Sequence, residues 1–168
     1  MNAFDLKCLI EDNYIKTDIQ RKWFNDMLSK VTIRIYDTSI ENEKKSYDNY
    51  CKEFNLKLKE FRGMSWENGI IMLNNIYETQ ESLCWILLHE LGHMTAVKIK
   101  KTLGYDLLVM LSGGSLNDMS KEEYNEYVSN DVIHEARYEE QFANQFANTI
   151  IGKSYDRYWW RKNKDLEQ

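Results

Sequence analysis

The chain has 168 residues, of which 43% are hydrophobic and 29% are charged, and its formal net charge is −5. This composition excludes an intrinsically disordered protein, and the length predicts one domain with a buried core. Acidic and basic residues are interspersed, so no basic stripe favours direct binding to nucleic acid.

The N-terminal segment and the cysteines indicate a cellular location. Residues 1–16 include an acid at position 5 and no apolar run of signal-peptide length, and no stretch approaches the roughly 18 apolar residues of a membrane span. Cys8, Cys51 and Cys84 are odd in number and too widely spaced for a CxxC metal knuckle. We expect reduced thiols that pack in the interior. These features predict a cytoplasmic protein that binds no membrane.

The first third of the chain predicts two helices and a strand. The segment 17–30 opens with a capping box, Thr17 to Gln20, and its apolar spacing is that of an amphipathic helix. The segment 31–37 alternates β-branched and polar residues, as a strand does, and the charged segment 40–55 favours a solvated helix. The apolar stripe of the first helix comprises Ile19, Trp23, Met27 and Leu28.

The middle of the chain predicts a β-hairpin followed by a long helix. Residues 56–74 contain a segment that alternates with period two, a glycine-containing turn and the short apolar strand 69–74. A helix is expected from about Thr79 to near Leu103, and Gly104 is its expected stop.

The last third predicts a flexible break and two more helices. The break covers residues 112–119, and a second capping box runs from Ser120 to Glu123. Residues 134–150 have strong helical spacing of phenylalanine and alanine. The tail that follows, 153–168, carries clustered aromatic and basic residues.

The long helix contains the motif His89-Glu90-Leu91-Gly92-His93. Histidines four residues apart lie about 40° apart around a helix, so both imidazoles can reach one cation. Glu90 is displaced along the helix but can reach a water at that position, whose pKa a zinc ion lowers towards neutrality. Glu90 would accept the proton of this water and pass it to the leaving amine of a peptide bond. The motif therefore predicts a zinc site with Glu90 as the catalytic base.

The apolar flanks of the motif leave a second interpretation open, a buried core helix without a metal. Residues 85–88 and Leu91 are the side chains that such a helix needs. Burying two imidazoles and a carboxylate without a cation would cost considerable free energy, however. We therefore favour the metal site.

A catalytic zinc site normally has three protein ligands and an open fourth position. A third histidine in the metzincin pattern is excluded, because Ile99 stands where it would lie. We choose Glu140, since an acid on the Ala- and Phe-rich face of its helix would point inward. Asn144, one turn further on, could orient a ligand histidine through its free ring N–H. The other candidates on this helix, which we expect at the surface or at the helix start, are His134, Glu135 and Glu139.

These motifs resemble a known family. The His-Glu-Leu-Gly-His motif together with the segment 140–147, E-x-x-A-N-x-F-A in pattern, resembles the ImmA/IrrE family of bacterial metallopeptidases, and the strand at 69–74 looks like that family's strand. The resemblance covers roughly residues 69–147. It implies a gluzincin arrangement, in which the metal ligands and the general base are His89, His93, Glu140 and Glu90 respectively.

The resemblance also implies a fold class and a domain organisation. We expect an α+β, zincin-like single domain over residues 1–168, mostly helical, with a small antiparallel sheet beside the HExxH helix. Residues 1–68 would supply N-terminal helices and strands, and 69–152 the catalytic core. The core would include an insertion at about 104–130, and 153–168 would form a C-terminal tail.

The function implied by the resemblance is that of a zinc-dependent endopeptidase, with one Zn²⁺ per chain. Its substrate would be a specific peptide bond in a cytoplasmic protein, with a helix-turn-helix repressor as the candidate. In zincins an extended substrate lies along an edge strand near the metal helix. We expect the strand at 69–74 or its hairpin neighbour to supply that edge by β-strand addition.

Two other functions stay open. One is a non-catalytic zinc-containing regulator that binds a repressor or another protein partner, although structural zinc sites usually have four protein ligands. The other is a metal-free helical interaction protein that uses the aromatic and basic segment 158–162 as an anchor. The intact Glu90 favours the endopeptidase.

Overall fold

The computed structural model describes residues 1–56, 61–76, 78–104 and 131–152, with the side chains of 131–138 outside this set. In these ranges the chain is α+β and mostly helical. The helices are α1 (Ala3–Asn13), α2 (Asp18–Leu28), α3 (Glu41–Glu53), α4 (Gln80–Leu103) and α5 (Asp131–Ile151). The strands are β1 (Thr32–Tyr36), β2 (Gly63–Ser65) and β3 (Ile70–Asn74).

The three strands form one mixed sheet in the order β1-β3-β2. β2 pairs antiparallel to β3, but it lies at Gly63–Ser65, inside the segment predicted as the turn of the hairpin, whereas β1 pairs parallel to β3 with Thr32 opposite Ile70. The expectation of an antiparallel sheet is therefore wrong for one of the two strand pairs. A parallel pair needs a long crossover, and the chain between β1 and β3 provides one that includes α3.

The side chains of β3 explain its central place in the sheet. All five of its residues are buried, and its four apolar residues alternate between two cores. Ile71 and Leu73 belong to the main core, which lies between the sheet and helices α1, α2, α4 and α5. Ile70 and Met72 belong to a smaller core against α3. A strand that is apolar on both faces fits between two layers of helices.

Local sequence signals account for the ends of the helices. Thr17 and Gln20 form the predicted capping box at the start of α2. The side chain of Thr79 accepts a hydrogen bond from the Ser82 backbone N–H at the start of α4. Gly104 ends α4 with a φ of 98°, a conformation that favours glycine. The predicted bounds of this long helix are thereby confirmed.

Two predictions about helix faces need correction. Ile19 is 84% exposed and does not belong to the buried stripe of α2, where Phe24 is fully buried instead. The face of α2 that packs against the core therefore includes Phe24 and leaves out Ile19. The segment predicted as a solvated helix is helical as α3, but Tyr47 and Cys51 are buried against the sheet.

The cysteines are free thiols, as predicted. Cys51 and Cys84 are buried, and Cys8 is half-buried. Burial, reinforced by the negative charge of Glu81, raises the pKa of Cys84 to about 12. Burial likewise raises the pKa of Cys51. Both buried thiols therefore stay protonated and act as small packing groups.

Several predicted features lie outside the described residues. These are the break at 112–119, the capped segment from Ser120, the aromatic tail 153–168 and most of the period-two segment after residue 56. None of the helices described has the length and apolarity needed to cross a lipid bilayer.

Helices α4 and α5 approach each other closely at Gly92. A Cβ atom placed on Gly92 would lie 2.9 Å from the Ala143 Cα atom. Ala96 on α4 and Ala147 on α5 are also fully buried. Small residues on both helices thus allow their backbones to come together.

We predict that Gly92→Ala destabilises the fold despite the better helix propensity of alanine. The added methyl group meets backbone rather than a movable side chain, so overpacking outweighs a propensity gain of about 1 kcal/mol. We expect a net loss of about 1–2 kcal/mol in the free energy of unfolding, measured by urea denaturation. Lys98→Ala on the exposed face of α4 is the control and should change it by less than about 0.5 kcal/mol. An unchanged or higher stability of Gly92→Ala would contradict the close contact.

Candidate metal centre

Three side chains from α4 and α5 converge on one point. The His89 Nε2 atom lies 3.1 Å from Glu140 Oε1, and the His93 Nε2 atom lies 2.9 Å from Glu140 Oε2. The two Nε2 atoms are 3.0 Å apart. The ligand atoms of all three residues lie within 4.8 Å of one another. The structure thus brings together the two histidines of the motif and the acid chosen from the distant helix.

This donor set fits a divalent metal ion such as Zn²⁺. Two ligands at about 2.0–2.1 Å from a tetrahedral ion lie about 3.3 Å apart, close to the separations between the three side chains. Two imidazole nitrogens and a carboxylate oxygen are ligands that zinc accepts. A small outward movement of each side chain would admit the ion.

The electrostatics of the cluster favour a cation. Burial alone would lower the pKa of His93, but its hydrogen bond to Glu140 and the negative charges of Glu140, Glu90 and Glu139 raise that pKa to about 9. Burial alone would raise the pKa of Glu140, but hydrogen bonds from His89 and His93 and their charges hold it well below its usual range. The same negative potential that retains a proton here would attract a metal ion.

Glu90 is buried beside this cluster but is not one of its ligand groups. Glu90 is 5% exposed, and its negative charge contributes to the raised pKa of His93. The backbone of β2 passes directly over it, because a Cβ atom on Gly63 would lie 2.9 Å from Glu90 Oε1 and 2.5 Å from Ile86 Cγ2. Glycine at position 63 therefore allows the strand to lie against the motif.

The sheet order decides which strand borders the site. The segment 69–74 cannot be an edge, because β3 has β1 on one side and β2 on the other. The edge strand within the described sheet that contacts α4 is β2, which lies in the segment predicted as the turn of the hairpin, whereas most of the predicted neighbouring strand, 56–61, lies outside the described residues. The prediction that β3 supplies the edge is wrong, because β1 and β2 pair with it on both sides.

Two further contacts fasten α5 to α4 on either side of the cluster. The indole N–H of Trp85 donates a hydrogen bond of 2.8 Å to the Asn148 side-chain oxygen. Lys100 forms an ion pair of 2.8 Å with Glu139. The side chains of this ion pair are 29% and 18% exposed, so the surrounding protein screens it less than water would. These contacts hold Glu140 opposite the two histidines.

The remaining candidates have different places. Asn144 lies half-buried on α5, but it does not bond the second nitrogen of His89, because Nδ1 of that ring has no hydrogen-bond partner among the described residues. Glu139, expected as a surface charge, is mostly buried against Lys100. The side chains of His134 and Glu135 lie outside the described set.

Sequence reasoning missed three residues of the site, namely Gly63, Trp85 and Asn148. A signal existed for the last two. Trp85 precedes His89 by four residues, and Asn148 follows Asn144 by four, so each continues the helical face of a residue already chosen. For Gly63 no local signal existed, because its role depends on how the sheet packs against α4.

Comparison of the chain with family models, with curated proteins and with solved structures finds no match in any of the three. The resemblance to ImmA/IrrE peptidases therefore stays a prediction that depends on the motif residues.

We predict that Glu140→Gln weakens metal binding far more than Glu139→Gln does. Removing the charge of Glu140 would take away a ligand, so the dissociation constant for Zn²⁺ should rise more than about 100-fold, beyond the 10–100-fold typical of outer groups. Glu139→Gln removes the ion pair with Lys100 and one of the negative charges that act on His93, but no ligand group, and should change the constant by less than about tenfold. Competition with a chromophoric chelator measures both constants. Equal losses in the two variants would refute Glu140 as the ligand.

We also predict that zinc binding releases a proton at neutral pH. His93 has a pKa of about 9 without a metal, so it is protonated at pH 7 and must become neutral to bind zinc. About one proton should be released per ion at pH 7, and fewer as the pH rises past about 9. Calorimetric titrations in buffers of different ionisation enthalpy measure this number. Absence of proton release at pH 7 would contradict the charge state of the cluster.

Proposed function

We propose that the protein is a zinc-dependent endopeptidase of the zincin type. The observation that carries this proposal is the convergence of His89, His93 and Glu140 beside the buried acid Glu90. The ligands come from two packed helices, and the acid follows the first ligand directly in sequence. This arrangement supports the hydrolysis of an amide bond more than it supports electron transfer or a purely structural role.

Each group has a separate task in this reaction. His89, His93 and Glu140 would hold the ion, which when bound polarises the scissile carbonyl and lowers the pKa of the attacking water. Glu90 takes the proton from that water as it attacks the carbonyl carbon. It then passes the proton to the leaving amine, so that the carboxylate of Glu90 is regenerated. Its burial beneath β2 keeps the carboxylate close to the reacting atoms.

The edge strand β2 is the feature that favours a protein as the substrate. A peptide added along the side of β2 that no described strand occupies would run extended past Glu90, since the backbone of Gly63 lies against that acid. In this proposal the substrate is a protein segment, with a cytoplasmic helix-turn-helix repressor as the candidate that the family resemblance suggests. No direct contact with nucleic acid is needed for this activity.

The alternative function is a non-catalytic zinc-containing regulator that binds a protein partner. In the described ranges the cluster offers three ligands, the number expected for a catalytic site rather than a closed structural one. This donor count supports the endopeptidase, and the variant below separates the two functions.

We predict that Glu90→Gln keeps the metal and loses cleavage. The amide matches the carboxylate in shape but cannot accept the proton, so the rate should fall by at least about 10²–10⁴-fold. The zinc dissociation constant should change by less than about tenfold, because Glu90 is not in the ligand cluster. New N-termini are detected by mass spectrometry after incubation with a panel of helix-turn-helix repressors and with casein.

The matched control is Glu81→Gln, the same change in the first turn of the same helix. This variant should cleave as the unmodified protein does. Cleavage retained by Glu90→Gln would refute the catalytic role. Stoichiometric zinc binding without cleavage of any probe by the unmodified protein would favour the regulator.

A further inference from the structure

One ring nitrogen of His89 lacks the contact that usually orients a metal-binding histidine. Its Nε2 atom faces Glu140 and His93, and its Nδ1 atom is buried without a hydrogen-bond partner among the described residues. In most metal sites the second nitrogen donates to a carboxylate, a carbonyl or a water, which fixes the ring plane. Among the described residues, the orientation of the His89 ring therefore depends on contacts other than a hydrogen bond at Nδ1.

Ring orientation matters here because the histidine side chain is soft at its last torsion. The torsion between Cβ and the imidazole has a broad energy profile, unlike the staggered torsion before it. The rings of His89 and His93 stand at 86° to each other, with their Nε2 atoms 3.0 Å apart. A rotation of the His89 ring would move its Nε2 away from the shared point.

The His89 ring contacts Trp85 through its face, although its Nδ1 atom has no hydrogen-bond partner among the described residues. The Trp85 ring stacks on the His89 ring with a centroid distance of 5.0 Å and an angle of 23° between the planes. The two residues are one helical turn apart on α4, and Trp85 is 8% exposed. A nearly parallel aromatic surface restricts rotation of the imidazole and excludes water from that face.

Trp85 is itself held by α5. Its indole N–H donates to the Asn148 side-chain oxygen at 2.8 Å, and Asn148 lies about two turns along α5 from Glu140. The helix that supplies the third ligand therefore also anchors the ring that packs on the first. This contact differs from the direct hydrogen bond predicted for Asn144.

We propose that Trp85, held by Asn148, is a positioning residue that sets the ring plane of His89 for metal binding. This inference rests on the metal site proposed above. Stacking takes the place of the usual hydrogen bond at the second nitrogen. The pair acts through His89 and does not touch the substrate.

The test measures cobalt binding in four proteins: the unmodified chain, Trp85→Leu, Asn148→Ala and the control Trp23→Leu. Trp23 is a matched control because it also packs an aromatic ring against α5, on Phe146 at 5.0 Å, but is not paired with a ligand histidine. Urea unfolding monitors the stability of each protein. The visible absorption of bound Co²⁺ and its dissociation constant report the geometry and strength of the site.

We expect Trp85→Leu to weaken Co²⁺ binding about 10–100-fold and to change the visible spectrum, since outer groups have effects of this size. Asn148→Ala leaves the ring in place but removes this hydrogen bond to its indole N–H, so it should change the spectrum with a smaller loss of affinity. Trp23→Leu should lower stability while its spectrum stays that of the unmodified protein and its affinity stays within about twofold.

Several outcomes would overturn the proposal. The proposal is rejected if Asn148→Ala and Trp85→Leu both keep the Co²⁺ spectrum and affinity of the unmodified chain. It is also rejected if Trp23→Leu changes the spectrum and affinity as much as Trp85→Leu does. If Trp85→Leu does not fold, Asn148→Ala alone decides, and an unchanged spectrum there rejects the proposal. If the unmodified chain binds neither Co²⁺ nor Zn²⁺, the proposed function fails and this inference fails with it. If the unmodified chain binds the metal and cleaves its substrate, and the Trp85 and Asn148 variants bind Co²⁺ as it does, only this inference is rejected and the proposed function stands.

Discussion

The close packing of α4 on α5 is the constraint on which the rest of the site depends. The two histidines and Glu140 lie on different helices, and Glu140 reaches both imidazoles at 2.9–3.1 Å only because the helix backbones nearly touch at Gly92 and Ala143. A larger residue at position 92 would meet the backbone of Ala143, so the helices would have to move apart. The glycine inside the motif therefore serves packing, whereas its neighbours His89, Glu90 and His93 are the residues proposed for metal binding and catalysis.

A second glycine contact lies on another side of α4. Gly63 brings the backbone of β2 against Glu90 and Ile86. The strand is kept there by Arg62, which pairs with Glu78 at 2.8 Å, and Glu78 in turn accepts a hydrogen bond from Ser82 at the start of α4. The Glu78 side chain is 2% exposed, so removing Arg62 would leave a buried charge. Helix α4, which carries the motif, thus lies between β2 and α5.

Sequence reasoning succeeded where a feature is local to one helix. The Thr17 cap and the α4 bounds follow from short-range hydrogen bonding, and the choice of Glu140 followed from the apolar face around it. It failed where neighbours distant in sequence decide. The parallel pairing of β1, the exposure of Ile19 and the burial of Glu139 against Lys100 all depend on packing between elements, which periodicity does not encode. Asn144 does not orient His89, because Nδ1 of that ring has no hydrogen-bond partner among the described residues, and its predicted role toward His93 stays a prediction.

The contacts of α5 explain why such a site can be precise without many polar partners. Glu140 is one of the three proposed ligands, and Asn148 on the same helix accepts the hydrogen bond of the indole that packs on His89, so a shift of α5 along α4 would disturb both Glu140 and His89. Lys100 and Glu139 oppose such a shift near the other end of the contact. A bound ion would add a third link between the helices, and its binding energy would favour the joined state over any state in which α5 separates. Metal affinity and helix packing therefore depend on the same contacts between α4 and α5. A variant that weakens the packing of these helices should also weaken metal binding, and the reverse should hold.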